Sequence, residues 1–235
     1  MKRAHKVRRT ILVIVALISF AMTLLVNPDL YQSYVAQQPI QTTENQSATG
    51  DAARVLAKLD VKGRAPRTDY SRSQFGNGWA IQQGCDMRNI ILHRDLTDTR
   101  IDDSCRVQSG MLVDPYTSKT ISFTRGSTSS QDVQIDHVVA LSNAWQTGAQ
   151  ALSTEKREQF ANDPLELLAV DGPANQQKSD GDAATWLPAN KAFRCQYVAR
   201  QIAVKAKYDL WVTLAEKQAM TRVLTKCPGQ PLPSS

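Results

Sequence analysis

At 235 residues the chain has room for one large domain or two small ones, and its 42% hydrophobic and 21% charged residues exclude a disordered or fibrous protein. The formal net charge of +6 does not by itself place the chain on nucleic acid, because Lys2, Arg3, Lys6, Arg8 and Arg9 carry five of those charges and leave +1 for the rest. The four cysteines include no Cys-x-x-Cys pair, which argues against a zinc ribbon and a thioredoxin-type redox site.

Residues 1–26 join that cationic head to an uncharged run from Ile11 to Val26, the pattern of a signal peptide or an N-terminal membrane anchor. Cleavage after Ala36 competes with retention, since Tyr34 stands where a signal peptidase prefers a small side chain. In either case the remainder is secreted or extracytoplasmic, and any contact with a membrane is made by this segment alone. Residues 27–50 are rich in Gln, Ser, Thr and Asn without apolar periodicity and read as a flexible linker. The folded domain is expected over residues 51–228.

Within it, Val55, Leu56 and Leu59 have helical spacing until Gly63 and Pro66 stop the helix. Residues 85–96 carry an apolar cluster assigned to a second helix. The segments 109–119, 120–126 and 132–141 are short runs separated by turn residues, expected as strands of one small antiparallel sheet. Helices follow over 142–150 and 154–161, then a strand over 165–170, a turn at Asp171, Gly172 and Pro173, and a short helix over 174–183. Two longer helices, carrying Val198, Ile202 and Val204 and then Leu210, Trp211, Leu214 and Leu224, precede an irregular tail. This defines an α+β domain: a small antiparallel sheet surrounded by helices. In an oxidising compartment the cysteines pair, and of three connectivities the two that close the shortest local loops are Cys85 with Cys105 and Cys195 with Cys227.

Three histidines are candidates for proton transfer near neutral pH. His5 lies in the export segment and His93 in an apolar stretch, which leaves His137 in the sequence QIDHVVAL. A regular strand sends the neighbouring Asp136 and His137 to opposite faces, so a bend or bulge is expected to bring both to one site. A strand-end hydrogen bond is the plainer reading of such a pair. Downstream, strand, tight turn and helix start place Asn175 where its side chain either faces the sheet or caps the helix.

Together Asp136, His137 and Asn175 resemble the HNH, or ββα-metal, endonucleases, over roughly residues 110–185. The segment from Lys178 to Asp180 is similar to the residues just after the metal-binding Asn in some members of that family. Secreted bacterial members are resembled more closely, through the ordered blocks GRAPRTDYSRSQFGNGW, GCDMRN, HRDL, DPYT, IDHVVALSNAW and NQQKSDGDAATWLP. The resemblance implies a phosphodiester hydrolase with His137 as general base, and Asp136 and Asn175 holding one divalent cation, Mg²⁺ before Mn²⁺. It further implies Lys178 and Arg88 as phosphate contacts and nucleic acid, above all DNA, as substrate. No obligate protein partner is evident. Arg88 with Asp86 reads equally well as a structural ion pair.

One departure stands out. Where the family's middle Asn would lie, this chain has Glu166, whose carboxylate is expected to take over by accepting the imidazole N–H. A non-catalytic nucleic-acid or envelope-binding module on the same fold is the alternative, and a wall-polymer hydrolase a third. Residues 187–226 hold eight Lys or Arg against Asp209 and Glu216, a surface that either tracks a phosphate backbone or is simply solvated. Trp145, Trp186 and Trp211 are read as core residues rather than base-stacking platforms.

Overall fold

The computed structural model describes residues 47–126 and 131–233. The export segment and most of the 27–50 linker lie outside the described residues. Two cores organise the domain, one among helices and one between a helix and a small sheet.

The first helix, α1 (Asp51–Lys58), buries Ala52 and Leu56. A one-turn 3-10 helix at Arg72–Phe75 and a short hairpin, β1 (Ile81–Gln82) with β2 (Cys85–Asp86), lead into α2 (Met87–Asp95). Asp86 caps α2 by accepting the Asn89 N–H at 2.8 Å and the Asn89 side-chain amide at 2.9 Å. Ile91 and Leu92 from α2 pack on an antiparallel sheet of β3 (Thr97–Ile101), β4 (Val107–Val113) and β5 (Thr120–Thr124). His93 is exposed on α2, with Nδ1 3.0 Å from the Thr99 hydroxyl, and not in an apolar setting.

The next strand, β6 (Val133–His137), does not join β4 and β5 as the sequence pattern suggests. It pairs antiparallel with β7 (Leu167–Asp171), some thirty residues downstream, after α3 (Leu141–Gln146) and α4 (Thr154–Ala161). Alternation shows where strands lie but not which partner they take, and here the hairpin separates the two cores. Val133, Ile135, Leu167 and Ala169 face the core of α2 and the three-stranded sheet, whereas Leu168 and Val170 face the helical core. Both faces are therefore covered, and the polar residues on this hairpin are held in place by packing.

Helix α5 (Gly172–Lys178) follows β7 directly, capped by the Asp171 side chain, which accepts the Ala174 N–H at 2.8 Å. Gly172 is required by close approach: a Cβ there would lie 2.1 Å from the Gln131 carbonyl oxygen, so α5 starts hard against the segment entering β6. Helix α5 ends at Lys178, short of the expected Ala183. Then α6 (Arg194–Lys207) and α7 (Leu214–Leu224) complete the helical core through Tyr197, Val198, Ile202, Met220 and Leu224. Disulfides join Cys85 to Cys105 and Cys195 to Cys227, the favoured pairing. The α+β class holds: seven helices among the described residues surround small antiparallel sheets, none of them closed into a barrel.

Candidate active site

The unit β6–β7–α5 brings Asp136, His137 and Asn175 to one cleft of about 530 Å³. The four consecutive residues Gln134 to His137 all line it, which a pleated strand allows only where it is seen edge-on. The hairpin register is regular through Asp136 opposite Leu168 and His137 opposite Leu167, so no bulge is needed. The two side chains leave opposite faces and meet the same cleft along the strand edge.

His137 is buried, and its Nε2 lies 3.0 Å from the Ala161 carbonyl oxygen. A carbonyl only accepts, so Nε2 carries the proton and Nδ1 keeps the free lone pair. Burial pushes the imidazole down to about 3, opposed by the Ala161 bond and assisted by the charges of Arg72 and Lys178. Trp79 stacks on the ring at 5.9 Å between centroids with the planes 5° apart. Proton position, orientation and neutral state are thus all set before any substrate arrives.

Asp136 sits in a buried polar knot. Its Oδ1 accepts from Lys178 Nζ at 2.9 Å and its Oδ2 from the Tyr116 hydroxyl at 2.5 Å. Burial raises its carboxyl, opposed by Lys178 and Tyr116, whereas burial and then the Asp136 charge push the Tyr116 hydroxyl well above its ordinary value and keep it a donor. Lys178 is only 2% exposed, and it also donates to the His137 carbonyl at 2.7 Å. The structure therefore corrects the expectation of Lys178 as a surface contact for phosphate: its ammonium is spent inside the protein.

Arg88 is displaced too. Its half-buried guanidinium donates to the Val133 carbonyl at 3.3 Å, at the far end of β6 and roughly 13 Å along the strand from His137 at 3.3 Å per residue. Asp86, its expected ionic partner, caps α2 and its charge also acts on the Arg88 guanidinium. The basic residues of the last two helices are likewise largely committed. Lys205 is buried against Glu216, Lys207 pairs with Asp163 at 2.6 Å, and Arg194, Arg200 and Lys217 donate to backbone carbonyls. Lys191, Arg222 and Lys226 remain exposed on this surface. Trp145 lies in the core as expected, while Trp186 and Trp211 are half-buried with their indole N–H groups bonded.

Glu166 does not reach the imidazole. Fully buried, it places both carboxyl oxygens 3.2 Å from the Val139 N–H, and its own carbonyl accepts the Val138 N–H at 2.9 Å. It ties down the loop that leaves His137, and burial raises its carboxyl well above the ordinary range. A glutamine in this position retains an acceptor for Val139, so Glu166→Gln is expected to unfold at the wild-type urea midpoint. Glu166→Ala leaves that buried N–H unpaired and is expected to lose about 1–3 kcal/mol in the same titration.

The donor set suits a cation that keeps most of its water. Asp136 contributes a hard oxygen shared with Lys178. The Asn175 amide donates to Gln134 Oε1 at 2.9 Å, leaving its Oδ1 uncommitted among the described residues. No cluster of three or more His, Cys, Asp or Glu that could hold a metal exists among the described residues, so solvent would have to complete any such site. A second cleft of comparable size, between α2 and α6, is less apt for chemistry because its Arg94 and Arg200 are bonded to carbonyls at Pro164, Leu165 and Leu167.

The sequence reasoning missed Tyr116, Trp79, Arg67 and Arg72. Tyr116 and Trp79 lie within the quoted blocks DPYT and GNGW, but only the fold brings them to Asp136 and His137.

An α+β domain whose β-hairpin and following helix present an Asp-His pair and an Asn to one cleft defines the class. Residues 86–223 match the C-terminal domain of GmrSD restriction endonucleases, and the chain belongs to that family. Over 191 residues it is 39% identical to a protein of the fungus Arthroderma benhamiae described as an uncharacterized secreted protein, covering 80% of this chain and 91% of that one. No solved structure matches. Two disulfides agree with an extracytoplasmic setting. Among the described residues no helix is long and apolar enough to cross a membrane.

Proposed function

We propose that the chain is an exported, metal-dependent endonuclease of the HNH kind, hydrolysing phosphodiester bonds of DNA with little sequence specificity. The observation that carries this reading is His137, held as a neutral imidazole with Nδ1 free, in the same cleft as Asp136 and Asn175. Nδ1 accepts the proton of the attacking water, and the Ala161 bond and Trp79 keep the ring in line. Asp136 and Asn175 Oδ1 are the ligands for Mg²⁺ or Mn²⁺, which when bound would polarise the phosphoryl group and offset charge on the departing oxygen. Lys178, donating to Asp136 and to the His137 carbonyl, fixes the relative positions of ligand and base.

The test is cleavage of plasmid and linear DNA by the purified chain with Mg²⁺ or Mn²⁺, with and without excess chelator. Cleavage that stops on chelation and resumes on metal addition is the expected result, and equal cleavage in chelator would overturn the metal-dependent mechanism. The engagement of both Asp136 oxygens favours a second reading, a non-catalytic nucleic-acid-binding module. Retarded mobility of intact DNA under every metal condition would decide for that reading.

A further inference from the structure

With Lys178 buried and Arg88 at the far end of β6, the site needs another source of positive charge for its substrate. We propose that Arg72, at the start of the 3-10 helix, and Arg67, on the segment before it, form the phosphate-binding arm of the cleft. Arg72 grips the phosphodiester presented to His137, and Arg67 the adjacent phosphate. This inference rests on the nuclease reading and assigns its substrate contacts to residues upstream of the family match, which begins at residue 86.

Three observations carry it. Arg72 lines both the main cleft and an adjoining cavity of about 160 Å³, and His137 is common to the two. The Arg72 side chain is exposed, and its guanidinium makes no hydrogen bond or ion pair among the described residues. Arg67 lines the same cleft, lies over the Tyr70 ring at 5.0 Å and stands 3.9 Å from Asp180, a loose pairing on an exposed surface.

The segment is firmly anchored on either side of these arginines. The Ala65 N–H donates to the Gln146 carbonyl at 2.9 Å, the Trp145 indole to the Thr68 carbonyl at 3.2 Å, and Arg157 to the Gln74 carbonyl at 2.8 Å. Phe75 is buried against Trp145 and Phe160. The Arg72 guanidinium, unpaired among the described residues, and that of Arg67, only loosely paired with Asp180, stand on a fixed backbone beside His137 and suit bidentate capture of phosphate, at little ordering cost on binding.

The experiment measures DNA binding against salt, and cleavage rate, for the full chain and for Arg72→Ala, Arg72→Lys, Arg67→Ala and Arg100→Ala. Arg100 is an arginine on β3 outside the cleft and serves as the control. Loss of either cleft arginine should reduce the slope of log affinity against log salt by about 1, whereas Arg100→Ala leaves it unchanged. Arg72→Ala should also slow cleavage on the order of 10²-fold, and Arg72→Lys should restore the slope but not the rate, because a lysine cannot make the bidentate contact. Wild-type rate and slope in Arg72→Ala, beside an active wild type, would overturn this assignment alone. A wild-type chain that neither binds nor cleaves DNA would overturn the nuclease reading and this inference with it.

Discussion

Replacing His137 with alanine is expected to slow DNA cleavage by about two to four orders of magnitude, the usual contribution of a general base. His137→Gln is the sharper companion, since its amide Nε2 reaches the place of the ring Nε2 and can still donate toward the Ala161 carbonyl while lacking a basic nitrogen. Both variants should lose cleavage, with His137→Gln the closer to wild type in melting temperature. Wild-type rates in either would remove His137 from the chemistry.

The same residue sets the expected pH behaviour. Because burial holds the folded imidazole near 3, the base stays unprotonated well below pH 6.5, and the acidic limb of kcat/KM should fall below the range of an ordinary histidine. For stability the sign is that of a group whose folded value is depressed. At pH above 6.5 the ring is neutral in both states and contributes no pH dependence. As pH falls from 6.5 toward 3, only the unfolded ring takes up a proton, which costs the folded state about 1.4 kcal/mol per unit. His137→Gln should therefore gain on wild type in stability between pH 6 and pH 4, measured by urea titration. A bound phosphodiester places negative charge beside the ring and moves its affinity for protons back up, in the direction useful for catalysis.

The largest effect on folding is expected at Lys205, which lies fully buried between α6 and α7. Its ammonium is 3.0 Å from the Trp211 carbonyl, 3.3 Å from Asn143 Oδ1, 3.4 Å from the Thr147 hydroxyl and 3.1 Å from Glu216 Oε1. Three N–H bonds cannot align with so many oxygens, which explains why Glu216 Oε1 has the charge beside it but no directed hydrogen bond. Lys205→Met leaves a buried carboxylate without its counter-ion and is expected to cost about 3–5 kcal/mol. In a domain of this size that lowers the melting temperature by roughly 10 °C. The double variant Lys205→Met, Glu216→Gln removes both charges and should recover most of the loss. A single variant that melts with wild type would show the pair to be dispensable.

Local signals specify the helices starting at Asp51 and Thr154, the strands around β4, β5 and β6, and both disulfides, because periodicity and loop closure act over short distances. The pairing of β6 with β7 was not legible, since 29 intervening residues hold two helices and alternation carries no partner information. The strand β3 was missed because TDTRI is polar on both faces and is recruited by β4 rather than by a core. Asp136, His137 and Asn175 were found from residue type and order, and the fold places them in one cleft. The charges around them were not readable in the same way. Whether a lysine is spent internally, as Lys178 is, or an arginine left unpaired among the described residues, as Arg72 is, depends on packing between segments distant in sequence.

The position of Cys85 has a practical consequence for dissecting the protein. The family match covers residues 86–223, so a fragment cut at those bounds would carry Cys105 without Cys85 and Cys195 without Cys227, leaving each without its partner. The same cut removes Phe75 from the helical core and Trp79 from the face of His137. Such a fragment should expose unpaired thiols and an apolar scar, inviting intermolecular cross-linking. The smallest piece worth expressing therefore starts upstream of α1, and inactivity of a shorter one would say nothing about the chemistry of the whole.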